Sequence, residues 1–495
     1  MWGDKLLDLI FEQNYSKDWP EKAEQGWNAL FGSPNGRYPA NTKESKFQIR
    51  NPRAPENSDF APFVAFINPQ NPKSGAYGGM SVAIFPGVDR SALITFVVGT
   101  NGLAPDEVIL GRPGHSRKVR AICDWLNAEF GKGKRVAWAK YDPTRTEQQL
   151  PKEVRGDFPK YNQTLEKYGS FIYGMFAAFD DRRSTLDGLT AFLDLMFDER
   201  GITPLGPHLS EAEQIQTQWF RYLMPRENEV SITQLLKERR YVLIEGPPGT
   251  GKTKLARDLI SSRYKGEGTT IQFHANTTYE NFIGGLAPES SNRDLGLSFK
   301  PKAGYLMEAA EKASKLSGGA KYLLHIDEIN RADMAKVLGE AIYLLEADEK
   351  EPRTLNLPFD FEGIGKQFKL PENLHIIGTM NTADRSLAVI DVAIRRRFAF
   401  AKLWPQMEIV EKLGCDLTRQ AFRMLLGIFV EHATDESLSL VPGHSYFLEA
   451  DEERAKRRLR TTLVPLLEDY LAQGYVAPFS EEIRSYLQWL ATACA

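Results

Sequence analysis

The sequence predicts an α/β protein in which a parallel sheet and a C-terminal helical part follow a separate α+β N-terminal domain. Three observations lead to this prediction. From about residue 210, apolar runs bounded by Gly, Pro and Asn alternate with helical patterns, which is typical of a parallel sheet covered on both faces. After Trp404-Pro405 the strand-like runs stop and helical patterns continue to Ala495. Before residue 200, strand-like and helix-like segments are mixed.

The first 200 residues contain β-branched, apolar runs that predict strands, at FAPFVAFINP (60–69), MSVAIFPG (80–87) and ALITFVVGT (92–100). Apolar residues at helical spacing predict helices over RKVRAICDWLNAEF (117–130), FIYGMFAAFDD (171–181) and GLTAFLDLMFDERG (188–201). Two Pro and two Gly follow in GITPLGPHLSEAE. We therefore predict an N-terminal domain over residues 1–200 and a linker over 201–212.

The second part should hold a sheet whose strands are YVLIEG (241–246), TTIQFH (269–274), KYLLHID (321–327), NLHIIGT (373–379) and RFAFAKL (397–403). Helical patterns separate most of these runs. This organisation predicts a core domain over residues 213–404 and a smaller helical subdomain over 405–495.

Composition points to an ordinary globular protein. The 495 residues are 42% hydrophobic and 26% charged, and the net charge of -3 does not indicate a strongly basic nucleic-acid-binding protein. The three cysteines are widely spaced, which predicts neither a disulfide framework nor structural zinc. The acidic N-terminus does not resemble a secretory signal, and no apolar run is long enough to span a membrane. We therefore expect a cytoplasmic protein.

The segment GPPGTGKT matches the phosphate-binding loop GxxxxGK[ST] in full, with a predicted strand before it and a predicted helix after it. Glycines let backbone N–H groups turn toward phosphates, and the helix N-terminus adds its positive dipole. The lysine should reach the β- and γ-phosphates, and the threonine hydroxyl should ligate Mg²⁺. The predicted nucleotide-binding residues are Gly246, Pro247, Pro248, Gly249, Thr250, Gly251, Lys252 and Thr253.

A second predicted strand, YLLHID, ends in adjacent acids. Beside a phosphate-binding loop, Asp327 should hold Mg²⁺ together with Thr253, and Glu328 should polarise the attacking water as general base. The alternative is a strand followed by an acidic helix cap.

A third predicted strand ends in the polar segment TMNTADRS (379–386), and polar groups at the end of a buried strand need a reason. Ligands of such sheets bind at the carboxyl ends of the strands, so Asn381 should lie near the γ-phosphate and orient water there. Asp384 and Arg385 could order the loop. The alternative is a polar turn that caps the next helix.

Three consecutive arginines, Arg395, Arg396 and Arg397, precede the last predicted strand. They are either a solvated face or an arginine finger for a neighbouring subunit's γ-phosphate, and the second interpretation implies a ring.

These motifs, with IQFHANTTYENFIGG, HIDEINRAD, LPENLHIIGTMNTADRSLAVIDVAIRRRF and PGHSYF, resemble the AAA+ superfamily and, more closely, McrB-type NTPases, from about residue 240 to 470. The resemblance implies a ring, expected to be hexameric, with each site between two subunits. It also implies a separately encoded nuclease partner of McrC type, and no nuclease motif stands out in this chain. GTP is the nucleotide of the best-known members, but nothing in the loop reads the base, so GTP and ATP both stay open.

The resemblance also implies residue roles. Asn330 would position water beside Asn381, and the helical subdomain would be a lid. The segment 354–371 resembles a hairpin inserted before the TMNT strand. Tyr279 and Phe282 would lie near a central pore, unless they are simply core residues. His444 is expected to be structural, and the lid arginine that senses nucleotide is one of Arg454, Arg457, Arg458 and Arg460.

The N-terminal segment weakly resembles a domain of uncharacterised function that precedes many McrB-type proteins. In such restriction systems the front domain selects duplex DNA, often by a modified base. Basic residues in GRPGHSRKVR (111–120) and GKGKRVAWAKY (131–141), interleaved with Trp138 and Tyr141, could contact the backbone and stack on a base. The alternative is a solvated basic face over core aromatics.

Three functions follow from these observations. The chain could be the NTPase motor and specificity subunit of a modification-dependent restriction or phage-defence complex. It could instead be a MoxR-like chaperone that remodels protein complexes, although the TMNTADRS loop favours the first interpretation. The third, a DNA-binding scaffold with a degenerate NTPase, conflicts with the intact Lys252, Thr253, Asp327 and Glu328.

Overall fold

The computed structural model describes residues 2–11, 18–32, 35–40, 48–53, 63–87, 91–225, 227–290, 297–346, 353–383 and 391–494. The chain divides into two compact units, which we call the front unit (Met1–Met224) and the second unit (Pro225–Ala495). None of the described helices combines the length and the apolar content that crossing a membrane requires.

The front unit is built on a six-stranded antiparallel sheet of order β1-β2-β3-β4-β6-β5. Its strands are β1 (Gln48–Arg53), β2 (Phe63–Ile67), β3 (Met80–Pro86), β4 (Ala92–Val98), β5 (Ala137–Ala139) and β6 (Ile172–Ala177). Its helices are α1 (Asp4–Phe11), α2 (Trp19–Asn28), α3 (Glu107–Leu110), α4 (Pro113–Phe130), α5 (Lys152–Asp157), α6 (Asn162–Tyr168), α7 (Arg182–Asp198) and α8 (Gly206–Leu223). Strands β2, β3 and β4 are buried along their whole length.

The predicted helix over 171–181 is wrong, because this segment contains strand β6. β6 pairs with β4 on one side and β5 on the other, and its side chains are buried on both faces. A short, uniformly apolar run does not show the period that separates a buried strand from a buried helix. The other two predicted helices are confirmed as α4 and α7.

The boundary between the units falls after the segment 201–212 that was predicted as a linker. Residues 206–223 form helix α8, which packs against α4 and α7 within the front unit. Ile215, Trp219 and Leu223 are its buried residues. Gly206 and Pro207 begin this helix, because proline is well tolerated in a first helical turn, where its missing N–H has no partner to lose.

The second unit contains a five-stranded parallel sheet of order β15-β7-β14-β11-β8. Its strands are β7 (Tyr241–Gly246), β8 (Gly268–Gln272), β11 (Tyr322–Asp327), β14 (Leu374–Asn381) and β15 (Ala399–Lys402). The five predicted strands are therefore confirmed. Two antiparallel hairpins flank it, formed by β9 (Gly284–Ser290) with β10 (Leu297–Ala303) and by β12 (Leu355–Phe361) with β13 (Gly365–Phe368). The second is the hairpin that the resemblance implied in 354–371.

Helices cover both faces of this sheet and continue beyond it. Those before the last strand are α9 (Glu229–Arg239), α10 (Lys252–Ser262), α11 (Tyr279–Phe282), α12 (Tyr305–Lys315), α13 (Met334–Leu338) and α14 (Val392–Arg395). Those after it are α15 (Met407–Leu413), α16 (Asp416–His432), α17 (Glu452–Arg458), α18 (Val464–Ala472) and α19 (Ser480–Ala493). The predicted α/β class with a helical C-terminal part is thus confirmed.

Candidate nucleotide-binding site

The phosphate-binding loop joins the end of β7 to the start of α10. Gly249 and Gly251 have φ angles of 79° and 83°, a left-handed conformation that glycine adopts without strain. The Lys252 ammonium donates hydrogen bonds to the carbonyl oxygens of Gly246 at 2.9 Å and Pro247 at 2.8 Å. The loop carbonyls therefore face the lysine stem, which leaves backbone N–H groups for an anion.

Lys252 lies in a low-dielectric position. Burial lowers the pKa of its ammonium to about 8, against the opposing effect of Glu328 and Asp327, which raise it. A desolvated cation of this kind gains most from an anionic ligand placed beside it. This is the property that a triphosphate site needs.

Asp327 accepts two hydroxyl hydrogen bonds at the carboxyl end of β11. Thr253 at the start of α10 donates to its Oδ1 at 2.9 Å, and Thr379 in β14 donates to the same atom at 2.6 Å. The hydroxyl and carboxylate oxygens of Thr253 and Asp327 are hard ligands that suit Mg²⁺, which commonly binds one or two protein oxygens together with phosphate. The donor set present here therefore fits the metal that the sequence predicts.

Glu328 has a backbone conformation that is unusual for a residue with a side chain, with φ 53° and ψ 46°. Its Oε1 accepts a hydrogen bond of 2.5 Å from the Asn381 amide, whose own oxygen accepts one of 2.7 Å from Lys252. Its Oε2 is buried without a hydrogen bond and lies 3.5 Å from the Arg331 guanidinium. The left-handed turn thus aims this carboxylate at the loop, with one oxygen left to bind water.

The structure brings Lys252, Asn381 and Glu328 into one hydrogen-bonded chain, as expected for residues at the carboxyl ends of neighbouring parallel strands. Asn330 is buried in the short 3₁₀ turn Ile329–Arg331, and its Oδ1 has no hydrogen-bond partner among the described residues. Its role as a water-positioning residue stays a prediction. Asp384 and Arg385 lie outside the described residues.

The three consecutive arginines differ in their surroundings. Arg397 is buried and forms an ion pair of 3.0 Å with Glu346 of its own chain. Arg395 lies over the Phe400 ring at 5.2 Å. The Arg396 side chain is 66% exposed, and its contact with Glu346 is longer, at 3.5 Å. Arg396 is therefore the member best placed to reach another molecule, and Arg397 fits an internal structural role.

The lid segment GHSYF lies directly against the phosphate-binding loop. The N–H groups of Gly443 and Ser445 donate to the carbonyls of Pro248 at 2.9 Å and Gly249 at 3.0 Å. His444 is buried, its Nδ1 accepts from the Gln406 N–H at 3.3 Å, and burial lowers its pKa to about 4, so a structural role fits.

Among the four lid arginines proposed as nucleotide sensors, Arg458 donates to the Ser445 carbonyl at 2.8 Å, which places it closest to the loop through a described contact. Arg454, Arg457 and Arg460 are exposed. Of the two predicted pore residues, Phe282 is buried in the core, and the Tyr279 hydroxyl donates to Glu340 at 3.0 Å. Phe282 therefore fits the core interpretation.

The sequence analysis missed Thr379 and His325, two buried polar residues beside Asp327. His325 Nε2 lies 3.1 Å from the Thr379 hydroxyl, which in turn donates to Asp327. A signal was available, because residues two apart in a strand share a face. That spacing places His325 on the face of Asp327, and Thr379 on the face of Asn381.

The basic stretch 111–120 of the front unit is mostly engaged within the protein. Lys118 contacts the buried Glu199 at 3.0 Å, and Arg112 lies 3.6 Å from the same carboxylate. Burial would raise the pKa of Glu199, but His115 and Lys118 lower it to about 2. Arg117 is itself buried. This stretch therefore supports the fold of α4, and the interpretation of it as a free DNA-binding face is wrong.

The second basic stretch lies at a cleft. Lys134 and Arg135 line a cavity of about 1260 Å³ together with Lys160, Arg182 and aromatic side chains that include Phe179. Within this set Arg135 is paired with Asp157 at 2.6 Å.

The two aromatic residues of this stretch differ in exposure. Trp138 packs against the core of the front unit, contrary to the predicted stacking role. Tyr141 is exposed, and the Arg120 guanidinium lies 4.2 Å from its ring centroid.

Comparison with known proteins agrees with this geometry. Residues 241–398 match the family described as AAA domain (dynein-related subfamily). The second unit contains an AAA domain. The matched region of the AAA domain runs from the first residue of β7 to the end of the arginine run, so it includes the loop, Asp327, Glu328 and Asn381.

Curated relatives point to restriction systems. The chain is 34% identical over 268 residues to the type IV methyl-directed restriction enzyme EcoKMcrB subunit of Escherichia coli (strain K12), covering 49% of this chain and 57% of that protein. It is 28% identical over 193 residues to the type II restriction enzyme BsuMI component YdiS of Bacillus subtilis (strain 168), covering 32% and 56%. It is 27% identical over 200 residues to the uncharacterised protein YehL of Escherichia coli (strain K12), covering 40% and 51%.

The chain therefore spans little more than half the length of the curated relatives it matches. Within that span, the resemblance of its AAA domain to the McrB-type proteins is confirmed.

Proposed function

We propose that the chain is a Mg²⁺-dependent nucleoside triphosphatase, hydrolysing GTP or ATP, that serves as ring-forming motor and DNA-recognition subunit of a modification-dependent restriction or phage-defence complex. A separate nuclease subunit would cut the DNA. The observation that carries the proposal is the convergence of Lys252, Thr253, Asp327, Glu328 and Asn381 at the ends of three adjacent strands. Similarity to two restriction-system components supports the cellular role.

The residues would divide the reaction as follows. Lys252 and the N–H groups of the loop bind the β- and γ-phosphates. Thr253 and Asp327 hold Mg²⁺, which when bound withdraws charge from the phosphate oxygens. Glu328 accepts a proton from water as the water oxygen attacks the γ-phosphorus and the bond to the β-phosphate oxygen breaks. Asn381 holds Glu328 in the orientation that this proton transfer requires.

Hydrolysis of each of the four nucleoside triphosphates by Glu328→Gln tests the assignment. The variant should bind nucleotide normally but lose about 10²- to 10⁴-fold in turnover, because the phosphate and metal ligands stay while the base is lost. Glu372→Gln is a matched control, since Glu372 is exposed at the opposite end of β14. Turnover by Glu328→Gln within severalfold of wild type would refute the role of this residue.

A ring with shared sites is supported by the exposure of Arg396. Removing an arginine that acts in trans lowers turnover by about 10³-fold or more. If Arg396 acts in trans, Lys252→Ala subunits, which keep the arginine, should restore turnover when mixed with Arg396→Ala subunits. The absence of rescue, together with a monomeric mass by sedimentation in saturating nucleotide, would contradict the ring.

DNA binding is proposed for the cleft of the front unit, because lysines and arginines beside aromatic rings suit phosphates and bases. Reversing the charge of Lys134 and Lys160 should weaken binding to duplex DNA of any sequence and flatten its dependence on salt. Lys73→Glu is the control, since Lys73 is exposed and does not line the cleft. Gel shifts on plain, methylated and hydroxymethylated duplexes measure this. No binding at low salt would favour the remodelling-chaperone alternative.

A further inference from the structure

A line of buried polar side chains crosses three neighbouring strands beneath the metal-binding carboxylate. Thr270 in β8 and His325 in β11 are register partners, and the Thr270 hydroxyl lies 3.2 Å from His325 Nδ1. His325 Nε2 lies 3.1 Å from the hydroxyl of Thr379 in β14, and that hydroxyl lies 2.6 Å from Asp327 Oδ1. His325 and Thr379 are almost completely inaccessible to solvent.

The direction of every hydrogen bond in this line follows from its end point. A carboxylate that ligates a metal is ionised and can only accept, so the Thr379 hydroxyl must donate to Asp327. That hydroxyl has one hydrogen, so it accepts from His325 Nε2–H. A neutral imidazole then presents a lone pair at Nδ1, which accepts from the Thr270 hydroxyl. Burial lowers the pKa of His325 to about 4, which agrees with a neutral ring.

We propose that His325 and Thr379 are positioning residues for the metal site, because their one-directional hydrogen-bond chain fixes the orientation of Asp327. Neither residue touches the metal or the nucleotide in this proposal. The chain fixes the imidazole tautomer, the imidazole fixes the threonine rotamer, and the threonine fixes the carboxylate. The proposal rests on the NTPase function proposed above and adds two residues to it.

The expected magnitude follows from known metal sites. Removing the partner that orients a metal ligand typically lowers metal affinity by about 10- to 100-fold, although the ligands themselves remain. Thr253 also donates to Asp327, so part of the orientation survives without Thr379. We therefore expect the lower end of that range, about 10-fold, for loss of the Thr379 hydroxyl.

The test measures binding of a fluorescent nucleotide to the full chain during a Mg²⁺ titration and, separately, in EDTA. Thr379→Val removes the hydroxyl at nearly constant volume and should raise the Mg²⁺ concentration for half-maximal binding about 10-fold, with unchanged affinity in EDTA. Thr379→Ser restores the hydroxyl and should return the midpoint toward wild type. A wild-type midpoint in Thr379→Val, or an equal loss of affinity in EDTA, would overturn the proposal.

A pair of histidine variants supplies an independent measurement if Thr379→Val does not fold. His375 in β14 is as buried as His325, but its Nδ1 pairs with the Tyr264 hydroxyl at 2.6 Å and has no link to Asp327 among the described contacts. His325→Leu should shift the Mg²⁺ midpoint severalfold, and His375→Leu should not. Equal shifts would overturn the proposal, since they would reflect general damage to the sheet.

The outcome for wild type separates this inference from the function on which it rests. If the wild-type chain binds no nucleotide, or binds it without any effect of Mg²⁺, the proposed NTPase function itself fails. If wild type responds to Mg²⁺ and the variants respond identically, only the positioning roles of His325 and Thr379 fail.

Discussion

Replacing Asn381 by Ala should reduce turnover while leaving nucleotide affinity nearly unchanged. Asn381 donates to Glu328 at 2.5 Å and accepts from Lys252 at 2.7 Å, so it holds the proposed base and the phosphate-binding cation at a fixed separation. A hydrogen bond to a charged group contributes about 1.5–3 kcal/mol. Loss of the bond to Glu328 should therefore lower kcat by about 10- to 150-fold.

Affinity should respond differently, because phosphate binding draws Lys252 away from Asn381. Removing Asn381 removes an internal competitor for the ammonium, so the nucleotide Kd should stay within a few-fold of wild type or fall. Single-turnover hydrolysis and equilibrium binding separate the two effects. Asn373→Ala is the matched control, since Asn373 precedes the same strand at its opposite end and bonds the Ala313 and Ala320 carbonyls. Wild-type kcat in Asn381→Ala, or a weaker Kd with unchanged kcat, would refute the reasoning.

Three further predictions concern the surroundings of the site. Arg397→Ala should lower the free energy of unfolding by about 3 kcal/mol, because it breaks a buried ion pair, whereas Arg396→Ala should leave stability nearly unchanged; denaturant unfolding compares them. Gly249→Ala should weaken nucleotide binding, because φ is +79° and a Cβ would lie 2.4 Å from Ser445 Oγ; calorimetry measures the loss, and full affinity would contradict it. Burial lowers the pKa of His444 from 6.5 to about 4, so only the unfolded chain binds this proton between those values. Stability should therefore fall with pH in that window, by about 2 kcal/mol at pH 5 for this residue, and His444→Gln should show a correspondingly smaller loss between pH 7 and pH 5.

The sheet of the second unit was predictable because its strands are short apolar runs separated by clear helical patterns. Tyr241–Gly246 and Tyr322–Asp327 coincide with the predicted segments to within one residue at either end. The site followed from the rule that parallel strands bring their carboxyl ends together, which placed Asn381 beside Lys252 before any coordinates were considered. The same reasoning failed for residues 171–181, where uniform burial removed the period.

Other features depended on partners that lie far away in the sequence. Arg397 reads like its two neighbours, and only its contact with Glu346 separates it from them. Lys118 reads as part of a basic face, but Glu199 neutralises it after the chain has folded. Pairing of this kind is decided by tertiary structure, so composition and spacing cannot reveal it.

The contact between the lid segment and the phosphate-binding loop sets a limit on how the chain can be shortened. The carbonyls of Pro248 and Gly249 receive their hydrogen bonds from Gly443 and Ser445, which lie well beyond the region 241–398 that matches the AAA domain. A truncated protein ending after β15 would keep every residue proposed to touch phosphate or metal, yet its loop would lose these donors. The smallest nucleotide-binding fragment therefore extends past Ser445, and exchange of C-terminal segments between related proteins should alter nucleotide affinity even when the AAA domain is untouched.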